Sequence, residues 1–290
     1  MRRIVFAGVL IAAVGLLSPA AGIQEPPPGM DGGGRNVAEI QKIRDNLYMI
    51  TGGGGNTAAF VTNKGVVLVD AKMPGWGEAI QDKLKTVTDK PVTTIVITHS
   101  HFDHTGSIDY FGKDVQIVTH ENTRARMENP NPFQTFKDKM SLFDGKDRID
   151  LYCFGRGHTD GDALVVFKSL GVMHSGDLFA WKQTPIVDTK GGGSVVEYGR
   201  TLTKAIETIE GVDTVITGHS QVMTFADFGE YADFNNDFIK WVEGRIRAGK
   251  SIKEAAAEFK IDPKYKGYSI NTFMGGIEGN IQTAYNELNN

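Results

Sequence analysis

The chain carries seven histidines, and three of them fall between residues 99 and 104. His99, His101, Asp103 and His104 stand in the spacing His-x-His-x-Asp-His, at the end of the apolar run "VTTIVIT" (92–98). Imidazole and carboxylate are donors that a divalent cation such as zinc accepts. A segment leaving a strand alternates sides, so His99 and His101 can point together at one ion. Asp103 and His104 follow as the chain turns and can face a second point nearby. Further donors stand in comparable places: His158 in "FGRGHTDGD", Asp177 in "MHSGDLF" and His219 in "DTVITGHS". Five histidines and two aspartates on four loops suffice for two ions with a shared carboxylate. Zinc, two per chain, is the expected metal; iron or manganese also suits such donors. Two ions sharing a water lower its pKa toward about 7 and yield hydroxide, a nucleophile for an ester, lactone, thioester or amide carbonyl. Asp103 is also the expected catalytic residue, accepting a hydrogen bond from that nucleophile and aiming it.

The other reactive groups read as structural. His120 closes the strand "VQIVTH" and is expected to cap a helix or support a ligand, and His174 lies packed inside a strand. Cys153, the single cysteine, sits in an apolar strand and has no disulfide partner in the chain. "TGGGGN" lacks the Gly-Lys-Ser/Thr ending of a phosphate loop and reads as a mobile hairpin beside the site or a plain turn. "DTKGGGSVVEY" reads as a pocket-lining loop or a flexible connector, and Phe179, Trp181 and Tyr198 as a pocket wall or as core.

The elements that must position these groups alternate between strand-like and helix-like runs. "NLYMI", "TAAFVT" and "GVVLVD" read as consecutive antiparallel strands. A helix is expected over 77–87, then the buried strand at 92–98. A short helix near 107–111, the strand "VQIVTH" and the helix "ENTRARM" follow, with loop or irregular helix over 130–143. Strands at "RIDLYCF", "DALVVFKS" and "GVMHSG" precede a helix over 195–209, a strand at "DTVIT", and helices to the end. Among these "FIKWVEGRIRAG" is amphipathic through Phe238, Trp241, Val242 and Ile246. The pattern is that of an α/β fold with layered sheets under helices.

Bulk properties narrow the function. The 290 residues carry a formal charge of −4 and no basic tract, which disfavours a nucleic-acid partner; the expected partner is a small-molecule substrate. Residues 1–22 begin "MRR", continue with an apolar stretch from Ile4 to Leu17, and end in small residues, as an export signal does. That stretch is shorter than the roughly 20 residues of a spanning helix. The expected product is therefore exported, periplasmic or secreted, without stable membrane insertion. Residues 23–38 read as a disordered lead-in, 39–225 as the hydrolase domain, and 226–290 as a helical extension packed on it.

Four motifs in order, "THSHFDHTG", "GHTDGD", "HSGDLF" and "TGHS", resemble the metallo-β-lactamase superfamily over about residues 40–225. The resemblance implies an αββα sandwich, two mixed β-sheets flanked by helices, with metals at one edge. It implies His99, His101 and His158 on the first zinc, Asp103, His104 and His219 on the second, and Asp177 bridging. His101 stands where the flavodiiron members carry glutamate, which disfavours their redox chemistry. Asp177 stands near where zinc β-lactamases carry cysteine or serine, so the set is more similar to hydroxyacylglutathione hydrolases, lactonases and dinuclear esterases. No glutathione-binding tail is evident in 221–290. The expected function is an exported dinuclear zinc hydrolase. Its alternatives are a true metallo-β-lactamase, an enzyme like the mononuclear iron persulfide dioxygenases and, last, a non-catalytic binding module.

Overall fold

Seven strands build the first sheet in chain order: β1 (Glu39–Arg44), β2 (Leu47–Thr51), β3 (Thr57–Val61), β4 (Val66–Val69), β5 (Val92–Ile97), β6 (Gln116–His120) and β7 (Phe133–Phe136). These positions come from a computed structural model that describes residues 36–289. The expected export signal and all but the last three residues of the lead-in lie outside the described residues. β1 to β4 pair antiparallel through short turns, and β4 to β7 pair parallel. Parallel neighbours need crossovers, and α1 (Gly77–Lys85), α2 (Phe102–Thr105) and α3 (Glu121–Ala125) lie in them. The second sheet contains β8 (Lys139–Leu142), β9 (Ile149–Tyr152), β10 (Leu164–Phe167), β11 (Val172–His174), β12 (Thr214–Ile216) and β13 (Met223–Thr224), in spatial order β13-β12-β11-β10-β9-β8. Only β11 and β12 pair parallel there, joined through α4 (Val195–Thr208). α5 (Phe225–Arg247), α6 (Ile252–Glu258) and α7 (Gly276–Leu288) complete the chain.

Strand alternation sorts side chains into layers. In β10, Val165 and Phe167 pack with Val67, Val69, Val96 and Ile216 between the two sheets. Leu164 and Val166 face the other way, into the cluster holding Tyr198, Leu202 and Phe228 of α4 and α5. On the first sheet Leu68, Ile95 and Ile117 meet Ile80 and Leu84 of α1. The result is helix, sheet, sheet, helix: the expected sandwich of two mixed sheets. The apolar face expected on α5 packs inward, with Phe238 and Val242 buried and Trp241 and Ile246 partly so.

Two expectations need correction, and one strand gave no signal. Residues 130–143 form the edge strands β7 and β8, where a loop or irregular helix is expected. Each borders a single ladder and is half exposed, so neither shows the apolar run by which a central strand is read. β1 gave no signal for the same reason: no position of "EIQKIR" is fully buried, and its partly buried Ile40 and Ile43 stand three apart, off the two-residue period of a strand. The short helix near 107–111 is a 3-10 turn over Ile108–Phe111.

Candidate metal centre

The expected donors lie in the connections that follow strands. His99 and His101 follow β5, Asp103 and His104 sit on α2, His158 lies between β9 and β10, Asp177 follows β11, and His219 follows β12. The structure brings all seven together at one edge of the sandwich, in two groups. The first comprises His99, His101, His158 and Asp177; the second comprises Asp103, His104 and His219. In the first, His101 Nδ1 lies 3.2 Å from His99 Nε2 and 3.0 Å from His158 Nε2. Asp177 Oδ2 lies 3.9 Å from His99 Nε2 and 3.7 Å from His158 Nε2. In the second, His219 Nε2 lies 3.3 Å from His104 Nε2 and 3.3 Å from Asp103 Oδ2. Asp177 Oδ1 faces this group, 3.4 Å from His104 Nε2 and 3.3 Å from His219 Nε2. One carboxylate therefore offers an oxygen to each group. Oδ1 is buried and makes no hydrogen bond of adequate geometry, an omission that costs free energy unless something else occupies the position.

The outer nitrogens of four rings are tied down, which decides where their protons sit. His158 Nδ1 donates to the Ile186 carbonyl at 2.8 Å. His101 Nε2 donates to Asp188 Oδ2 at 3.0 Å, and His104 Nδ1 to Asp70 Oδ2 at 2.7 Å. Thr98 Oγ1 gives its proton to Asp70 Oδ2 at 2.8 Å, so it accepts from His99 Nδ1 at 3.0 Å. Neutral imidazole has one N–H, so His99, His101 and His158 in their neutral form present a bare lone pair to the cluster, and His104 does so once its Nε2 proton is displaced. Asp70 and Asp188 escaped the sequence reading. Asp70 ends the buried strand run "GVVLVD", and a carboxylate at such a strand end is the signal that found Asp177.

The charges are coupled. Burial disfavours a charge on His104, but Asp177 and Asp70 outweigh it and hold the imidazole pKa well above its usual value. His219 is likewise disfavoured by burial yet pushed up to about 9 by Asp177 and Asp103. Burial opposes ionisation of Asp177 too, and the His219 and His104 charges reverse the balance, leaving its carboxyl well below the ordinary range. His99 goes the other way, since burial and the neighbouring imidazoles of His104 and His158 keep it neutral. Donors competing for protons in this way fit a cation, which satisfies the lone pairs and carboxylates together.

Glycines let the backbone close on this edge. A Cβ at Gly54 would lie 2.6 Å from the Asp103 carbonyl oxygen, and one at Gly55 2.3 Å from the His104 ring. "TGGGGN" is thus a turn packed against the donors, and Gly55 N donates to Asp103 O. Beneath it the fully buried Lys72 donates to the carbonyls of Ile50 and Gly55 at 2.8 and 3.0 Å. Burial pushes that ammonium down to about 7, with Asp70 opposing. Gly55→Ala is expected to cost roughly 1–3 kcal/mol by overpacking against His104, read as a lower urea midpoint.

The remaining expectations divide. His120 accepts from Asn122 N and caps α3. His174 is buried and donates from Nε2 to Asn56 O, while Asn56 holds the His219 loop through the Thr217 and Ser220 carbonyls. Burial pushes the Cys153 thiol up to about 12, so it is no nucleophile. Phe179 and Tyr198 are core, whereas Trp181 stacks on His219. The "DTKGGG" loop lies over His158, with Gly193 beside its carbonyl, and supplies Asp188. A cavity of about 680 Å³ bounded by Arg44, Trp181, Ser220 and Ser269 contains none of the seven donors, which lie outside it at the sheet edge.

A sandwich of this order with a His/Asp cluster at its edge is the arrangement of a metal-dependent enzyme, and its relatives make the class that of metal-dependent hydrolases. The chain belongs to the metallo-beta-lactamase superfamily, whose family model matches residues 50–219. It is 28% identical over 229 residues to a type 2 metallo-beta-lactamase of Elizabethkingia meningoseptica, covering 72% of this chain and 86% of that one. A type 2 enzyme of Bacillus cereus is 23% identical over 56% of this chain and 65% of its own length. Among solved structures, the sec-alkylsulfatase Pisa1 from Pseudomonas sp. superposes with a TM-score of 0.74 at 14% identity over 87% of this chain. This chain spans 50% of the length of that sulfatase. DIM-1 metallo-beta-lactamase superposes with a TM-score of 0.61 at 17% identity, over 69% of this chain and 98% of that one. At such identities the structural likeness speaks to the fold alone. Among the described residues no helix is long and apolar enough to cross a membrane.

Proposed function

We propose that the chain is an exported dinuclear zinc hydrolase acting on an ester, lactone, thioester or amide-type carbonyl of a small molecule. The observation that carries this reading is Asp177, which turns one oxygen to each donor group and leaves Oδ1 without a hydrogen bond. His99, His101 and His158 with Oδ2 would hold one ion; Asp103, His104 and His219 with Oδ1 would hold the other. Two zinc ions supply Lewis acidity and a water acidified toward about pKa 7. The chain's own residues do the rest. Asp188, Asp70, Thr98 and the Ile186 carbonyl fix ring orientation and tautomer. Asp103 is the more open of the two carboxylates, 22% exposed against 8% for Asp177. Burial opposes its ionisation, but His219 and His104 reverse the balance and hold the carboxyl below its usual range, so Asp103 is the carboxylate that accepts a hydrogen bond from the nucleophile and orients it. The export-like residues 1–22 support a periplasmic or secreted site of action.

The test is metal analysis of the purified protein together with turnover of an aryl ester, a lactone, a thioester and a cephalosporin. The expected result is two zinc ions per chain and chelator-sensitive cleavage of at least one substrate. The cephalosporin is included because curated relatives are metallo-beta-lactamases. One iron per chain with persulfide-dependent oxygen uptake would replace this reading. Asp188→Asn is expected to lower zinc affinity about 10- to 100-fold by freeing the His101 ring, measured by competition with a chromogenic chelator.

A further inference from the structure

Trp181 stacks on the ring of His219, with centroids 4.7 Å apart and planes 18° from parallel. Phe273 lies parallel to Trp181 in turn, at 6.0 Å and 7°. The three rings form a column that begins at the candidate metal centre and ends on an open face, since Phe273 is 54% exposed. Ile270 and Met274 on the same segment are exposed as well.

The fold fastens this segment deliberately close to the donors. Buried Asn271 donates through Nδ2 to the carbonyls of Thr184 and Pro185. Ser269 pairs with Gln183 as an isolated bridge. The stretch so gripped continues to Ile186 and Asp188, which orient His158 and His101. Directly after Phe273 the backbone enters the left-handed region at Met274, Gly275 and Gly276, with φ of 50°, 85° and 58°, and α7 begins. A single exposed apolar side chain needs no reason, but Ile270, Phe273 and Met274 are exposed together, and Phe273 is joined by stacked rings to a candidate donor, a grouping that fits a ligand-contact surface. Charge does not supply it, because the adjoining Lys182 is engaged by Asp227 and Glu230.

We propose that Trp181 and Phe273 form a ledge for the apolar, non-reacting part of the substrate, so that carbonyl compounds bearing an alkyl or aryl group are preferred over small polar ones. The ledge rests on the hydrolase reading above and narrows its substrate class. Contact with such a group has a gain comparable to that of a few methylenes entering a hydrophobic pocket.

The experiment compares zinc-loaded wild type, Phe273→Ala and Phe273→Leu on 4-nitrophenyl acetate and 4-nitrophenyl octanoate. Wild type is expected to prefer the octanoyl ester. Phe273→Ala should shrink the octanoyl-to-acetyl ratio of kcat/KM about tenfold, chiefly through KM, at unchanged zinc content. Phe273→Leu should restore most of the ratio. A wild type without that preference, or a ratio that Phe273→Ala leaves alone, would overturn the ledge. If wild type cleaves neither ester, ester hydrolysis fails while the ledge is still decided by calorimetry with octanoate and acetate. Tighter octanoate binding that Phe273→Ala abolishes supports it; equal binding of the two ions sinks it.

Discussion

Asp177→Ala is expected to lower kcat/KM by more than roughly 100-fold, beyond the loss that follows removal of an outer partner of a metal ligand. The zinc content should fall below two per chain at the same time. The reason lies in its two oxygens: Oδ2 completes the group of His99, His101 and His158, and Oδ1 stands 3.4 and 3.3 Å from His104 and His219. Alanine removes a donor from both groups and the negative charge that balances two clusters of imidazoles. Asp177→Asn is the finer probe. The amide keeps the shape but has one oxygen, so one group retains a donor and the other meets an NH2 where a lone pair is needed. One zinc per chain is the expected occupancy of that variant. Two zinc ions and near wild-type turnover in Asp177→Ala would show that the carboxylate does not join the groups.

Stripping the metal with dipicolinate should abolish turnover and lower Tm by roughly 10 °C, and added zinc should restore both. A ligand present at a thousand times its Kd stabilises the native state by about 4 kcal/mol, and about 2–4 °C accompany each kcal/mol in a domain near this size. The structure explains why the empty cluster is costly. Ring nitrogens stand 3.0 to 3.3 Å apart around the cluster, and the buried Asp177 Oδ1 makes no hydrogen bond of adequate geometry. Without a cation, protons on His104 and His219 are what balance Asp177. Both histidines have pKa values above the ordinary, about 9 for His219. Below that pH protons compete with zinc, so affinity rises as pH climbs toward about 9, and chelation is easier at pH 6 than at pH 8. Differential scanning fluorimetry with and without chelator at those two pH values measures both effects. A Tm indifferent to chelator and zinc would leave the cluster a purely ionic network.

The seven candidate donors were legible because each combines two local facts: a polar group of metal-binding type, and a place in a connection after a strand-like run, a Gly-rich turn in the case of His158. The sandwich was legible on similar grounds, since central strands announce themselves by continuous burial. Edge strands do not, which is why β1, β7 and β8 went unread: a strand bordered by one neighbour needs apolar residues on neither face consistently. Asp70 and Asp188 show the other limit. Each acts on a histidine far away in the chain, Asp70 on His104 and Asp188 on His101, and an isolated aspartate carries no local mark of its partner. Sequence alone therefore determined which residue types stand at which strand ends, because those depend on short-range periodicity. The pairing of rings with anchors, the inward-facing nitrogen of each imidazole, the division of Asp177 between two groups and the stacking of Trp181 on His219 depend on sheet register and loop closure. These are long-range geometric constraints, and only the folded chain decides them.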